Sequence, residues 1–455
     1  MNQHFKTVFG SANRTLPLQP SGNIVRDNAC RVDWELVCPK KDGDEIYILG
    51  NPPYLGSSMQ SAEQKQDMAL VFAGVNGYKN LDFIACWFYK GAQFIEASPA
   101  KFAFVSTNSI CQGEQVALLW QPILRKKLEI DFAYTSFKWA NNAKHNAGVA
   151  VVVIGLRNSG TKAPQYLFAN GNKKLVSNIN AYLAQGNNVI VAKRSKPISK
   201  LAKMDYGTKT VDGGNLTLTL AEKELLIAKN HRIEPFIKVF TGSDEFINGI
   251  QRFCLWIKPS DAHSALQIAE INERVNKVKK MRLSSPKKAT KESASTPHLF
   301  GEIRYKESDS IIVPSVSSER REYIPIGFLS KNIVTSNLAF AVYDAEPWLL
   351  SILTSKMHMA WVKAVCGRLG TGYRYSSSLC YNTFPFPAIS DKQKAELEQS
   401  AYRILEVRER YTEKTLAQLY DPDKMPTDLR AAHEQNDLAV ERCYRIIPIR
   451  FSSIN

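Results

Sequence analysis

The run Ile46-Tyr47-Ile48-Leu49-Gly50-Asn51-Pro52-Pro53-Tyr54 leads apolar and aromatic residues into a glycine, then an amide, two prolines and an aromatic ring. The β-branched and aromatic bias of its first half predicts a short buried strand. The prolines end that strand, because they lack N–H groups and fix φ. Asn51 and Tyr54 are therefore expected at a strand's carboxyl end, where open α/β sheets bind ligands. The plainer alternative is a proline turn after a strand, with no chemistry attached.

These residue types suit one demanding reaction. The exocyclic amine of adenine is a weak nucleophile, because its lone pair is delocalised into the ring. An enzyme that methylates it must hold the nitrogen as it becomes tetrahedral. The Asn51 side-chain carbonyl can accept one amine hydrogen, and the Pro52 backbone carbonyl the other. Pro52 and Pro53 stiffen the backbone, so both acceptors are preorganised for the charge that develops. Tyr54 offers a flat face on which an extruded base can stack. No strong general base is needed.

The 455 residues suffice for two or three domains with real cores. Hydrophobic content of 44% and charge of 22% describe an ordinary globular chain. No stretch reaches the ~20 apolar residues of a membrane span, so no membrane partner is expected. Met1 to Gly10 carries no apolar signal region, and a cytoplasmic location is expected. The eight cysteines are scattered without a C-x-x-C pair, so reduced, mostly buried thiols are expected in place of zinc ribbons or redox dithiols. The histidines show no metal-ligand spacing. A net charge of +16 favours a polyanionic partner, against the alternative of a merely solvated basic surface. Charge does not separate DNA from RNA.

Residues 1–22 read as a polar connection, and Ile24-Val25 as a short strand with a turn at Asn28 after it. Helical spacing is expected over Ser61 to Ala73 and Leu81 to Ala97, a strand over Phe102 to Ser106, and a helix from about Gln115. Ile130 to Tyr134 and Val149 to Gly155 read as two further strands, with Phe137, Lys138, Trp139 and a polar loop holding Lys144 and His145 between them. Beyond these lie an Asp212-Gly213-Gly214-Asn215 turn and strand-like alternation over Glu245 to Ile257. Arg274 to Lys291 holds eight Lys or Arg and no acid. Lys279, Lys280 and Arg282 in that run are candidate phosphate contacts, or else a solvated helix end. Glu319, Arg320 and Arg321 form a polar cluster suited to reading guanine and cytosine edges, or an ordinary salt-bridged surface. Met357 to Leu369 and Lys392 to Tyr411 read as helices.

Several segments together resemble the MmeI-like DNA methyltransferases, bacterial type IIG restriction–modification proteins and their relatives. They are Gly50 to Tyr54, Gln60 to Lys65 (QSAEQK), Ser106 to Ile110 (STNSI), Gly113 to Gln115, Pro314 to Gly327 (PSVSSERREYIPIG), Met357 to Leu369, Tyr373 to Ser376, Tyr381 to Pro385, Leu419 to Pro422, and Met425-Pro426. The resemblance covers nearly the whole chain. It implies methyl transfer from S-adenosylmethionine to the exocyclic amine of adenine in double-stranded DNA. Asn51, Pro52, Pro53 and Tyr54 would be the amino-methylation motif, with Asn51 also near the cofactor. Asn28 would contact the cofactor's adenine. Phe137 would stack on the flipped base beside Tyr54. The motif is shared with protein-amide methylases, so it names a chemistry more firmly than a substrate.

One departure stands at the start. The family carries a Gly-rich cofactor motif ahead of the region seen here, and there is no G-x-G before Asn51. The expected fold is therefore α/β: a partial class I (Rossmann-like) methyltransferase sheet over 1–156, a mixed α/β target-recognition domain over 157–390, and a helical segment over 391–455. The expectation is the carboxyl portion of such an enzyme, inactive alone, and either cut by a gene break or paired with a separate amino-terminal half. The rival readings are a non-catalytic DNA-binding specificity protein and an RNA or protein amide methylase.

Overall fold

The computed structural model describes residues 7, 8, 10, 24–139, 150–160 and 163–445. The chain forms two compact units, one holding residues up to Cys111 and Gln115–Ile190, the other Gln112–Glu114 and Val191 onward.

In the first unit a short turn, α1 (Trp34–Val37), precedes β1 (Tyr47–Gly50), α2 (Ala62–Val71), α3 (Ala85–Ile95), β2 (Lys101–Thr107), β3 (Leu128–Lys138), β4 (Ala150–Asn158), β5 (Gln165–Ala169) and β6 (Asn172–Val176). The strands form one sheet in the order β1-β2-β4-β3-β5-β6. β1 and β2 run parallel, with Gly50 opposite Phe104, and β4 lies antiparallel between β2 and β3. The expected closing pair of strands is therefore present. The sheet continues past residue 156, which lies inside β4, because β5 pairs in parallel with β3 and β6 completes a hairpin.

Local signals set the helices. Ser61 caps α2 in a reciprocal box, its hydroxyl accepting from Gln64 N–H at 3.2 Å while Gln64 Oε1 accepts from Ser61 N–H at 3.0 Å. α3 turns Phe88 and Ile95 onto the sheet, where Phe88 lies 5.9 Å from Phe102 and 5.5 Å from Phe104 between ring centroids. Each such buried ring contributes about 1.5–3 kcal/mol of hydrophobic stabilisation. The helical segment expected from Gln115 contains a π-helical turn, Val116–Trp120, before Gln121–Leu124.

Two strand expectations change. Ile24 and Val25 are exposed and pair with no strand among the described residues. β1 is an edge strand whose Tyr47 and Leu49 are 60% and 76% exposed, so it is not the buried strand its composition suggests. Composition reports affinity for a strand; burial depends on what covers it. Tyr47 and Leu49 belong to an open apolar face that continues through Val105, Val153, Tyr134 and Phe168, opposite the helix-covered face. Gly155 belongs to this face too, where a Cβ would lie 2.3 Å from the Phe132 ring.

Among the described residues the second unit holds three small sheets. β7 (Met204–Tyr206), β8 (Thr217–Thr219), β9 (Ile237–Thr241), β10 (Arg252–Leu255), β11 (Ser310–Pro314), β12 (Val316–Ser317), β13 (Gly327–Leu329), β14 (Ile333–Thr335), β15 (Ala339–Tyr343), β16 (Gly367–Leu369) and β17 (Gly372–Arg374) assemble as β14-β9-β10-β8, β13-β11-β15-β7 and β12-β17-β16. Of the alternating stretch from Glu245, only Arg252–Leu255 is strand, and Glu245 lies in the helix Ser243–Asn248. The other helices used below are α4 (Leu220–Lys229), α5 (Ala269–Leu283), α6 (Pro347–Leu353), α7 (Lys356–Val365), α8 (Asp391–Glu409) and α9 (Thr427–Tyr444). α8 and α9 belong to this unit's core: Tyr323 OH donates to Asp437 at 2.8 Å, and Arg408 Nη1 donates to the Ile326 carbonyl at 2.6 Å. All eight cysteines are free, six of them buried.

Candidate active site

The prolines stop β1 at Gly50, and the chain turns away from the sheet through Asn51, Pro52, Pro53 and Tyr54. Asn51 is exposed, Pro52 buried and Tyr54 37% exposed. β1, β2 and β3 all run in one direction, so the motif, the end of β2 and Phe137 share one rim of the sheet. Asn108 Nδ2 donates to Ser136 Oγ at 3.1 Å and links two parts of that rim. Phe137 is 39% exposed, so it is not a core aromatic, and its ring centroid is 6.3 Å from that of Trp139. Lys144 and His145 lie outside the described residues.

The turn is gripped from below. The buried Asp82 carboxylate accepts from Leu55 N–H at 2.8 Å and from Ile84 N–H at 3.2 Å, both on Oδ1. Phe83 N–H donates to the Leu55 carbonyl at 3.0 Å, and so does Gln60 Nε2 at 3.1 Å. Leu55, the residue after Tyr54, is thereby fixed at both its N–H and its carbonyl. Burial raises the Asp82 carboxyl above its ordinary range, against the pull of these N–H groups. Neither Asp82 nor Gln60 was singled out for this role from the sequence; each signals only as a polar residue beside apolar neighbours.

Beside the motif lies a cleft of about 470 Å³ lined by Asn51, Pro52, Ile48, Trp34, Trp87, Phe94 and Phe104, with the segment from Val25 to Cys38 as its outer wall. Asn28 does not line it. Its Nδ2 donates to Asp67 at 2.9 Å and its Oδ1 accepts from Cys30 N–H at 2.9 Å. The lining acid is its neighbour Asp27, which spacing alone gave no reason to prefer.

In the second unit Lys279 and Lys280 face solvent on α5. Arg282 does not: it is 1% exposed and donates to the carbonyls of Thr210, Val211, Ser293, Thr296 and Leu299. A guanidinium spent in this way cannot reach a phosphate, which corrects its expected role. Arg274 is likewise committed, to Glu222 at 2.8 Å and the Asn215 carbonyl at 3.1 Å. Arg320 is exposed and paired with Asp423. Arg321 is partly buried, and desolvation lowers its pKa. Glu319 sits near the β16–β17 hairpin, its carboxyl held below the ordinary range by its own backbone N–H and then by the Thr371 hydroxyl. On that hairpin Arg368 stacks 3.9 Å from the Tyr373 ring centroid.

Residues 1–169 match the family model "MmeI, DNA-methyltransferase domain", 185–388 match "MmeI, target recognition domain", and 389–452 match "MmeI, C-terminal domain". This chain belongs to the MmeI-like family. It is 48% identical over 446 residues to "DNA methyltransferase A" of Bacillus subtilis (strain 168), covering 98% of this chain and 51% of that protein. A solved structure of the type IIL restriction-modification enzyme MmeI in complex with DNA superposes with a TM-score of 0.88 at 40% identity, covering 97% of this chain and 60% of that one. The chain thus spans about half the length of the curated relative. Its MmeI-like methyltransferase region supplies the rim and the cleft, and its MmeI-like recognition region supplies the three small sheets. No helix among the described residues is long and apolar enough to cross a membrane.

Proposed function

We propose that this MmeI-like chain takes part in site-specific methylation of adenine in duplex DNA within a restriction–modification system in the bacterial cytoplasm. The observation that carries the reading is the rigid Asn51–Tyr54 turn on the same rim as Phe137 and beside an aromatic cleft. The Asn51 side-chain carbonyl and the Pro52 carbonyl accept the two amine hydrogens of an extruded adenine. Tyr54 and Phe137 stack on its ring. The cleft's size and aromatic lining fit the adenosyl part of S-adenosylmethionine, next to Asn51. Bound there, that cofactor supplies an electrophilic methyl group on a sulfonium centre. Lys279 and Lys280 add sequence-independent phosphate contacts, while the surface around Glu319, Arg320 and Arg321 faces the bases.

Among the described residues the cleft lining contains no Lys or Arg to hold the cofactor's carboxylate. A polypeptide of these 455 residues is therefore expected to hold S-adenosylmethionine weakly and to transfer methyl groups poorly by itself. Supplying a separate amino-terminal half that carries the family's Gly-rich cofactor motif is expected to raise both. In that complemented form Asn51→Ala should lower labelled-methyl incorporation into DNA by about two to three orders of magnitude, with DNA affinity near wild type. Turnover equal to wild type would remove Asn51 from the reaction. DNA binding without methylation in every complemented form would favour the alternative, a specificity protein that binds without catalysis.

A further inference from the structure

The second unit opens, after its three-residue insert, on a segment with neither helix nor strand, Val191 to Lys203. It holds Lys193, Arg194, Lys196, Lys200 and Lys203, all exposed, and no acid. A free segment of this composition repels itself and spreads. Here its backbone is fastened from beneath by the π-helical turn Ser377–Tyr381 and the residue that follows it. Arg194 N–H donates to the Ser378 carbonyl at 2.9 Å, and the Arg194 carbonyl accepts from Asn382 Nδ2 at 2.8 Å. Ile198 N–H donates to the Asn382 carbonyl at 2.8 Å, and the Ala202 carbonyl accepts from Tyr381 OH at 2.8 Å. Tyr381 and Asn382 are both buried, and Leu201 packs on the same core as Tyr381. Pro197, between the first two fastenings, fixes its own φ. The cations of this strap are not equally neutralised. Lys193 pairs with Glu114 at 2.7 Å and Lys203 with Asp205 at 2.6 Å. Arg194, Lys196 and Lys200 form no ion pair among the described residues.

We propose that the Val191–Lys203 strap is a docking surface for the sugar–phosphate backbone of duplex DNA, with Arg194, Lys196 and Lys200 as its phosphate contacts. The inference rests on the chain acting on duplex DNA, as proposed above, and it adds a contact that neither the α5 lysines nor the Glu319–Arg321 cluster supplies. The fastening gives the first reason. An irregular basic segment ordinarily loses conformational freedom when it binds, whereas buried donors and acceptors have already ordered this one during folding. Charge gives the second. Three unpaired cations held close together repel one another, and a polyanion relieves that repulsion as its own counterions are released. Neither a helix nor a strand carries these side chains into a groove, so they meet the backbone charge and add affinity without sequence choice. The strap also lies within residues 185–388, which match the recognition-domain model.

The test uses the full 455-residue chain and a fluorescently labelled DNA duplex of arbitrary sequence, since phosphate contacts do not depend on a recognition site. Anisotropy titrations over a salt series give the slope of log affinity against log salt. The triple variant Arg194→Gln, Lys196→Gln, Lys200→Gln should lower that slope by about 2 to 3, and Arg194→Lys, which keeps the charge, should leave it near wild type. A second measurement needs no variant. The wild-type chain is acetylated with and without the duplex, and each lysine is read by mass spectrometry. DNA should protect Lys196 and Lys200. An unchanged slope in the triple variant, or acetylation of Lys196 and Lys200 unaffected by DNA, would overturn the proposal while leaving DNA binding by the rest of the chain standing. Stronger protection of the same lysines by single-stranded RNA than by the duplex would overturn the assignment to DNA. Failure of the wild-type chain to bind any duplex would overturn both this inference and the DNA-directed function on which it rests.

Discussion

Arg282 shows how much a single side chain's surroundings decide. By sequence it sits in a basic run, one helical turn from Val278 and two from Val275. In the fold those valines and Arg282 share the buried stripe of α5, and the guanidinium ties the 210–211 and 293–299 backbone segments together. Arg282→Ala leaves buried carbonyls without donors and should destabilise the second unit by at least about 3 kcal/mol. Thermal unfolding checks this. Near-native stability would mean that water or a neighbouring donor replaces the guanidinium. Asn28 teaches the same lesson at smaller cost, since its amide is spent on Asp67 and the exposed acid beside it, Asp27, lines the cleft.

At the scale of elements, the Asn51–Tyr54 turn is positioned by the start of α3 as much as by β1. Asp82 Oδ1 takes both the Leu55 and the Ile84 N–H groups, so an asparagine oxygen can replace it. The carboxyl's folded pKa is raised by burial, so the folded state binds its proton more tightly than the unfolded chain does. Its contribution to stability is therefore greatest below the unfolded carboxylate pKa and is lost as pH rises through the raised value. Asp82→Asn removes that ionisation cost and keeps the acceptor. It should melt higher than wild type at neutral pH, and the difference should vanish as pH falls below the ordinary carboxylate range. A melting difference independent of pH would show that Asp82 does not titrate in this way. The open apolar face of the sheet, from Leu49 across to Phe168, is the other element-scale feature, and it is the kind of surface that drives association when left bare.

For the whole molecule, the net charge of +16 is the quantity that matters. Many cations are internally paired, as Arg320 is with Asp423 and Arg430 with Glu322. Lys279 and Lys280 are solvent-facing and absent from the ion pairs among the described residues. DNA affinity should fall steeply with salt. Replacing both lysines by glutamine should reduce the slope of log affinity against log salt by roughly 1 to 2. Filter binding across a salt series measures it, and an unchanged slope would take α5 out of the DNA interface.

The sequence by itself determined the order of elements around the motif, because prolines, caps and the strand period act over a few residues. Asn51 to Tyr54 ends a strand, Ser61 starts a helix, and β3 and β4 pair as their alternation implies. It also carried the family, through short segments spread along nearly the whole chain. Tertiary structure alone decided which polar residues were free. Burial turned Arg282 from a phosphate contact into a strut, put β1 on an open edge, and fastened Asn28 so that Asp27 lines the cleft. Those outcomes depend on partners tens of residues away, such as Asp67 for Asn28 and Val211 for Arg282. Local pattern fixes what a residue can do, and the distant chain that packs against it fixes what remains for it to do.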